Sequence, residues 1–189
     1  MKTKAAVLRN IGGPLYTEEL EIQVLKHGQV LVKILASGLC HSQINEIKGR
    51  KGKEYIPHLM GHEASGIVLD IGEGVKKVKK DDYVVVSWIK GEGIEAEPPK
   101  YKSKKGLVSA GPAATFLEYA VISEYRVVPI DKKVKASIAA LLGCAVPTGM
   151  GIVKGLNMKE GQKIVVCGIG GIGACALLKA KSLGAQATA

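Results

Sequence analysis

The chain has 189 residues, 47% of them hydrophobic and 4% aromatic, with a formal net charge of +10. That length fits one domain and part of a second, with apolar material enough for a core of Val, Ile, Leu and Ala. No stretch approaches the ~20 apolar residues of a membrane span, and the charged N-terminus holds an apolar run of four residues, too short for a secretory signal.

Lysine supplies 24 of the 27 basic residues. Such a balance suits an anionic ligand such as a dinucleotide, a nucleic-acid surface, or simply a solvated exterior. Three arginines and one Phe are poor material for the clustered basic groups and stacking aromatics of a nucleic-acid site, so no nucleic-acid partner is expected. Cys40, Cys144, Cys167 and Cys175 are too few and too scattered for a disulfide framework. The expectation is a cytoplasmic protein with no membrane partner.

In chain order, residues 4–9 and 19–25 read as short strands, and Gln29 to Ser37 alternates apolar and polar as a half-buried strand does. His41 to Lys48 suits one or two helical turns, followed by a basic loop to Lys53. A second long strand is expected from about His62 to Asp70, and Tyr83 to Trp88 is a β-branched run that reads as a buried strand. Ile89 to Gly111 carries five lysines and Pro98-Pro99 and reads as an exposed lobe without cysteine. Strand character returns at Thr115 to Ile122 and Tyr125 to Ile130, and Lys135 to Leu142 suits a short helix. The first part is therefore expected to be a β-barrel or sandwich.

From Pro147 the pattern changes. A helix to about Lys154 precedes a short buried strand, Ile164 to Cys167, with Cys167 and the later Cys175 assigned to the core. Gly168-x-Gly170-x-x-Gly173 follows directly, then a helix to about Leu183 with Gly184 as its stop. Between strand and helix, this spacing allows a tight turn and close approach of a pyrophosphate to the free N–H groups of the helix start. An ordinary glycine-rich turn is the alternative. The acidic residue expected about 20 residues further on would lie past Ala189, so the sheet is expected to be incomplete.

His62, in Gly61-His62-Glu63-Ala64-Ser65-Gly66, forms a candidate set with Cys40 and Cys144. An imidazole and two thiolates bind Zn²⁺ while leaving a fourth position for chemistry, and Glu63 adds a carboxylate beside the histidine. The ligands are 22 and then 82 residues apart, so spacing alone leaves Cys40 and Cys144 equally consistent with buried small hydrophobes. His27 and His58 read as surface or structural.

With both features in place, the chain resembles the zinc-dependent medium-chain alcohol dehydrogenases. The resemblance rests on Gly38-Leu39-Cys40-His41-Ser42, on the His62 segment, on Leu142-Gly143-Cys144-Ala145-Val146-Pro147-Thr148-Gly149, and on the glycine turn. It implies a mainly β, GroES-like, partly open barrel over residues 1–145 and the truncated opening of an α/β Rossmann domain over 146–189. It further implies one catalytic Zn²⁺ on Cys40, His62 and Cys144, and NAD or NADP as hydride carrier. Ser42 matches the hydroxyl that takes the alcohol proton, and Glu63 the carboxylate near the metal. His41 matches a basic position near the pyrophosphate, and Thr148 and Ile172 match positions lining the nicotinamide, with Gly168, Gly170 and Gly173 at the phosphates.

Three departures qualify the match. Gln43 stands where many members carry an Asp bonded to the ligand histidine, and Asn45 where some carry a proton-relaying histidine. The lobe lacks the four cysteines of a structural zinc site, so one zinc is expected. The expected partner is a small alcohol or aldehyde, with a homo-oligomer compatible, and hydride transfer by the chain alone is expected to be weak. The alternative is a non-catalytic zinc-binding or structural remnant of the family. A zinc-free quinone-reductase-like relative on the same fold is disfavoured by the full ligand set.

Overall fold

The computed structural model describes the whole chain, residues 1–189, and contacts divide it into two compact units, Met1–Gly143 and Cys144–Ala189. In the first unit, β1 (Lys2–Leu8) pairs antiparallel with β2 (Leu15–Glu21), Lys2 opposite Glu21 and Leu8 opposite Leu15. On β1, Thr3, Ala5 and Val7 turn inward and Lys2 and Lys4 outward, the period of a strand with one wet face. The second strand thus lies earlier than the expected 19–25. Its only buried apolar residue is Leu20. Charge pairs its surface instead, Lys2 with Glu19 at 2.6 Å and Arg9 with Glu18 at 2.6 Å, so apolar alternation does not mark it.

The chain continues through β3 (Gln29–Ser37), α1 (His41–Ile47), β4 (His58–Leu59), β5 (Ala64–Ile71) and β6 (Tyr83–Val86). Then come β7 (Lys100–Ser103), β8 (Gly106–Ala110), β9 (Tyr119–Ser123), β10 (Val127–Pro129) and α2 (Ala136–Leu141). Strands β1-β2-β7-β8-β4 close into a barrel, beside a five-stranded sheet in the order β10-β6-β5-β3-β9. The resemblance implied a partly open barrel; the ring here is closed by thin joints, one residue pair between β2 and β7 and two between β1 and β4. Val7, Leu20, Val30, Val32, Leu59, Val68, Val84 and Ile122 fill the shared core. Ala139 of α2 covers the opposite face of the second sheet against Tyr83 and Val85.

The stretch expected as an exposed lobe is corrected in its second half. Residues 100–110 form the β7–β8 hairpin, and Tyr101 and Val108 are core residues. Lysines at 100 and 102 occupy the outward positions of a period-2 strand and mask the buried Tyr101 between them. The Tyr101 hydroxyl accepts the Val121 N–H at 2.8 Å; complete burial pushes its phenol pKa well above the ordinary value. Residues 89–99 are tied down by Glu124, which accepts the N–H groups of Lys76 and Lys77 at 2.6 and 2.7 Å and that of Ile94 at 2.7 Å.

In the second unit, α3 (Ala145–Gly155) precedes β11 (Lys163–Val165), α4 (Gly171–Ser182) and β12 (Gln186–Thr188), and the two strands pair in parallel. Val153, Ala176 and Ala180 pack with Ile164 and Ala187 on one face of this pair. The other face is open, so Lys163, Val165 and Cys167 look outward; Cys167 is exposed, against its expected place in the core. Helices α3 and α4 approach closely at Gly149, where a Cβ would collide with the Ile172 carbonyl and lie 2.6 Å from the Cys175 Cβ.

Two outcomes follow from this packing. Burial works to raise the Glu124 carboxyl, but the N–H groups of Lys77, Ile94 and Lys76 hold it below the ordinary glutamate value. That contribution is present above the unfolded-chain pKa and is lost as pH falls through the depressed folded value. Glu124→Gln should therefore cost about 1–3 kcal/mol at neutral pH and flatten the acid limb of denaturation measured against pH; an unaltered limb contradicts this. Gly149→Ala gains about 1 kcal/mol of helix propensity but overpacks against backbone, which costs about 1–3 kcal/mol. The clash should win, lowering the unfolding midpoint of the second unit in urea, and a raised midpoint would show that α4 moves aside freely.

Candidate metal centre

Each candidate ligand sits where a regular element begins or ends. Cys40 is the residue before α1, His62 lies between β4 and β5, and Cys144 immediately precedes α3. His62 leaves the ladder because Gly61 takes φ +88, a conformation where a Cβ would also strike Thr115 Oγ1. The strand expected from His62 therefore starts two residues later, at Ala64, and the histidine stands clear of the sheet.

Gln43 joins the first two ligands. Its Oε1 accepts the Cys40 N–H at 2.9 Å, and its own N–H donates to the Cys40 carbonyl at 3.0 Å, which closes the first turn of α1. Its amide nitrogen lies 2.7 Å from His62 Nδ1. An amide nitrogen donates, so in this arrangement Nδ1 accepts and a neutral ring carries its proton on Nε2; binding a metal through Nε2 requires the other tautomer, with Nδ1–H. Burial lowers the His62 pKa, with Glu46 opposing and Lys51 adding to the effect, so the ring is held in the neutral form that binds metals.

Glu63 and the Val86 carbonyl both press on the segment of the third ligand at Gly143. The buried Glu63 side chain passes so close to Gly38 and Gly143 that a Cβ at Gly38 would collide with its carboxylate, and one at Gly143 would lie 2.9 Å from its Cβ. The Glu63 carbonyl accepts the Gly38 N–H at 3.0 Å and the Ser37 hydroxyl at 3.1 Å. Ser87 Oγ, just after β6, donates to the Gly143 carbonyl at 2.7 Å. Cys144 is one peptide bond further on, and its place is set by that anchor. Ser87 gave no signal in the sequence; the glycines at 38 and 143 did, standing two residues before Cys40 and directly before Cys144.

The ligand atoms of Cys40, His62 and Cys144 lie within 4.8 Å of one another. Two thiolates on a tetrahedral zinc with Zn–S bonds near 2.3 Å are roughly 3.8 Å apart, so the donor set is within about an ångström of closing on an ion. Sulfur, sulfur and neutral imidazole fit zinc in type and in number. Ser42, half-buried in the first turn of α1, has its Oγ 3.3 Å from the Gln43 amide nitrogen. Asn45 and the exposed His41 lie on the same helix.

The remaining sequence candidates lie in the second unit. Thr148 is half-buried in the first turn of α3, its N–H bonded to the Cys144 carbonyl at 3.0 Å. Gly168 follows β11 with φ +93, Gly170 precedes α4, and Ile172 and Gly173 fall in the helix's first turn. A Cβ at Gly173 would collide with the Gly168 carbonyl, whereas one at Gly168 or Gly170 would meet open space. The turn is thus tight internally and clear on its outer side. No helix is long and apolar enough to cross a membrane.

Residues 26–132 match the family model of the alcohol dehydrogenase GroES-like domain. An NDMA-dependent alcohol dehydrogenase of Amycolatopsis methanolica is 36% identical across 98% of this chain and 56% of its own length. The crystal structure of benzyl alcohol dehydrogenase from Acinetobacter calcoaceticus superposes with a TM-score of 0.83 at 28% identity, over 98% of this chain and 57% of that one. An alcohol dehydrogenase zinc-binding domain protein from Burkholderia ambifaria shares the fold with a TM-score of 0.89 at 24% identity, over 98% and 57%. The chain thus spans about half the length of the curated relatives it matches. With the family model covering most of the first unit and the ligand set assembled, the chain belongs to the zinc-dependent alcohol dehydrogenase family of GroES-like proteins.

Proposed function

We propose that the chain carries the metal-binding part of a zinc-dependent alcohol dehydrogenase, acting on a small alcohol or aldehyde with a nicotinamide cofactor. The observation that carries this reading is the convergence of Cys40, His62 and Cys144. Those three would hold a single catalytic Zn²⁺, which supplies a Lewis acid that lowers the pKa of an alcohol and polarises a carbonyl. Ser42 would receive the alcohol proton at Oγ. Glu63 keeps the loops bearing both cysteines apart at the right distance, and Gln43 orients the His62 ring.

NAD or NADP would bind at the second unit. The clear outer side of Gly168 and Gly170 and the free N–H groups opening α4 suit a pyrophosphate, with Gly173 allowing the turn to close. His41 is assigned to the same phosphates, and Thr148 and Ile172 to the nicotinamide ring. The two-stranded sheet offers the dinucleotide one βα turn and no acidic residue for its ribose, so turnover by these 189 residues alone is expected to be weak.

Metal analysis tests the reading. The purified chain should bind about one zinc, and Cys40→Ser or Cys144→Ser should each reduce that to a trace; a chain that takes up no zinc removes the dehydrogenase assignment. Zinc uptake without any alcohol-dependent nicotinamide reduction, even in a full-length relative grafted with residues 1–145, would favour the non-catalytic alternative. A second outcome concerns Gln43. An amide has one acceptor end, whereas Cys40 N–H and, in the tautomer that frees Nε2, His62 Nδ1–H both require one. A carboxylate serves both, so Gln43→Glu should tighten zinc binding by about ten-fold in a chelator competition; unchanged or weaker binding contradicts this account of the amide.

A further inference from the structure

A cleft of about 240 Å³ opens beside His62. Pro112, Ala113 and Trp88 give it an apolar wall, and Glu46 and Lys51 line it too. Neither charged side chain is sealed off: that of Glu46 is 20% exposed and that of Lys51 38%. Lys51 Nζ stands 3.6 Å from Glu46 Oε2, so the cleft holds a charge pair beside one of the candidate metal ligands.

The bonds around the pair decide what each group has left to offer. His58 Nε2 is 3.1 Å from Glu46 Oε2. A neutral His58 with its proton on Nε2 donates to Glu46, and this tautomer leaves no unpaired N–H at the buried Nδ1. Burial works to raise the Glu46 carboxyl, but contact with His58 and the Lys51 charge hold it below its usual range, so it is ionised. Both contacts fall on Oε2, and Oε1 keeps its lone pairs. Nε2 lies 3.1 Å from Lys51 Nζ but has no lone pair for it in this tautomer. The ammonium sits 5.5 Å from the Tyr55 ring centre, a contact that steadies Lys51 and leaves its N–H groups unspent. Acceptor and donor thus stand side by side. An alkyl chain laid over them would desolvate both and bond neither, which is costly. A hydroxyl donates and accepts at once, so it serves both.

We propose that Glu46 and Lys51 set substrate specificity by bracketing a second hydroxyl, which donates to Glu46 and accepts from Lys51, so that the preferred alcohol is a short polyol. Its carbon chain rests on the wall of Trp88 and Pro112. This substrate class rests on the dehydrogenase reading above, although the hydroxyl site itself does not need the metal. A volume below the 300–1,000 Å³ of a drug-sized pocket keeps the ligand to about three or four carbons.

Trp88 is the only tryptophan of the chain and lines the cleft, so its fluorescence reports binding directly. Propylene glycol and n-butanol match in their count of non-hydrogen atoms and differ by one hydroxyl. The glycol should saturate the signal at a concentration about ten-fold or more below that needed for n-butanol, with and without zinc. Lys51→Met should bring the two ligands within about two-fold of each other, and Glu46→Gln should narrow the gap in the same direction; the comparison on the unaltered chain needs neither variant to fold. Equal binding of the two ligands to the unaltered chain overturns the proposal, and so does a signal that does not respond to the glycol. A preference that survives in a folded Lys51→Met chain overturns it as well, because the hydroxyl is then held elsewhere. Zinc uptake without a glycol preference removes the polyol class and leaves the dehydrogenase reading. A preference that depends on Lys51 in a chain that binds no zinc leaves the hydroxyl site and removes the dehydrogenase.

Discussion

The buried side chain of Glu63 is the constraint on which the rest of the site depends. A Cβ at Gly38 would collide with its carboxylate, and one at Gly143 would crowd its Cβ and, more closely, the Val86 carbonyl; these glycines stand two residues before Cys40 and directly before Cys144. His62 precedes Glu63 in the chain. The Glu63 side chain, with the Val86 backbone at Gly143, thus spaces three segments that are 22 and 82 residues apart in sequence. Enlarging either glycine would displace a ligand-bearing loop without touching a ligand. The surrounding bonds then fix rotation: Gln43 closes the helix turn on Cys40 and meets His62, and Ser87 holds the Gly143 carbonyl.

The two sheets explain why those segments are held firmly enough to matter. Strand β3 lies between β5 and β9 and ends in the loop that leads to Cys40, while β5 begins just after Glu63. Val30, Val32, Val68 and Ile122 are fully buried on these strands, so the strand ends are anchored by a close-packed core. The ligands themselves lie outside the ladders, where side-chain direction is set by caps and turns and is free of the sheet's strict alternation. Rigid strands with irregular junctions are a common way to build a site whose groups must meet from several directions.

Much of this was legible in the residues, and the misses share a cause. Strand β3 announced itself by Val30, Val32 and Ile34, and the glycine turn by its place between a strand and a helix. Residue type leaves the ligand set as one of two readings, and the resemblance selects it. Strand β2 was displaced because Glu18 and Glu19 pair with Arg9 and Lys2, a cross-strand pattern invisible along one strand. The β7–β8 hairpin looks like a lobe in sequence because lysines flank Tyr101, whose hydroxyl meets the distant Val121 N–H. The apolar neighbours of Cys167 suggest a core position, whereas a two-stranded sheet covered on one face leaves every second residue outside.

The central claim is that two thiolates and one imidazole of this chain grip the same ion. X-ray absorption at the zinc edge of the metal-loaded chain measures that most directly. Two sulfurs near 2.3 Å and one imidazole nitrogen near 2.0 Å, with a light atom in the fourth position, are the predicted shell. A shell of oxygen and nitrogen alone, or one containing a single sulfur, would mean that Cys40, His62 and Cys144 do not act together.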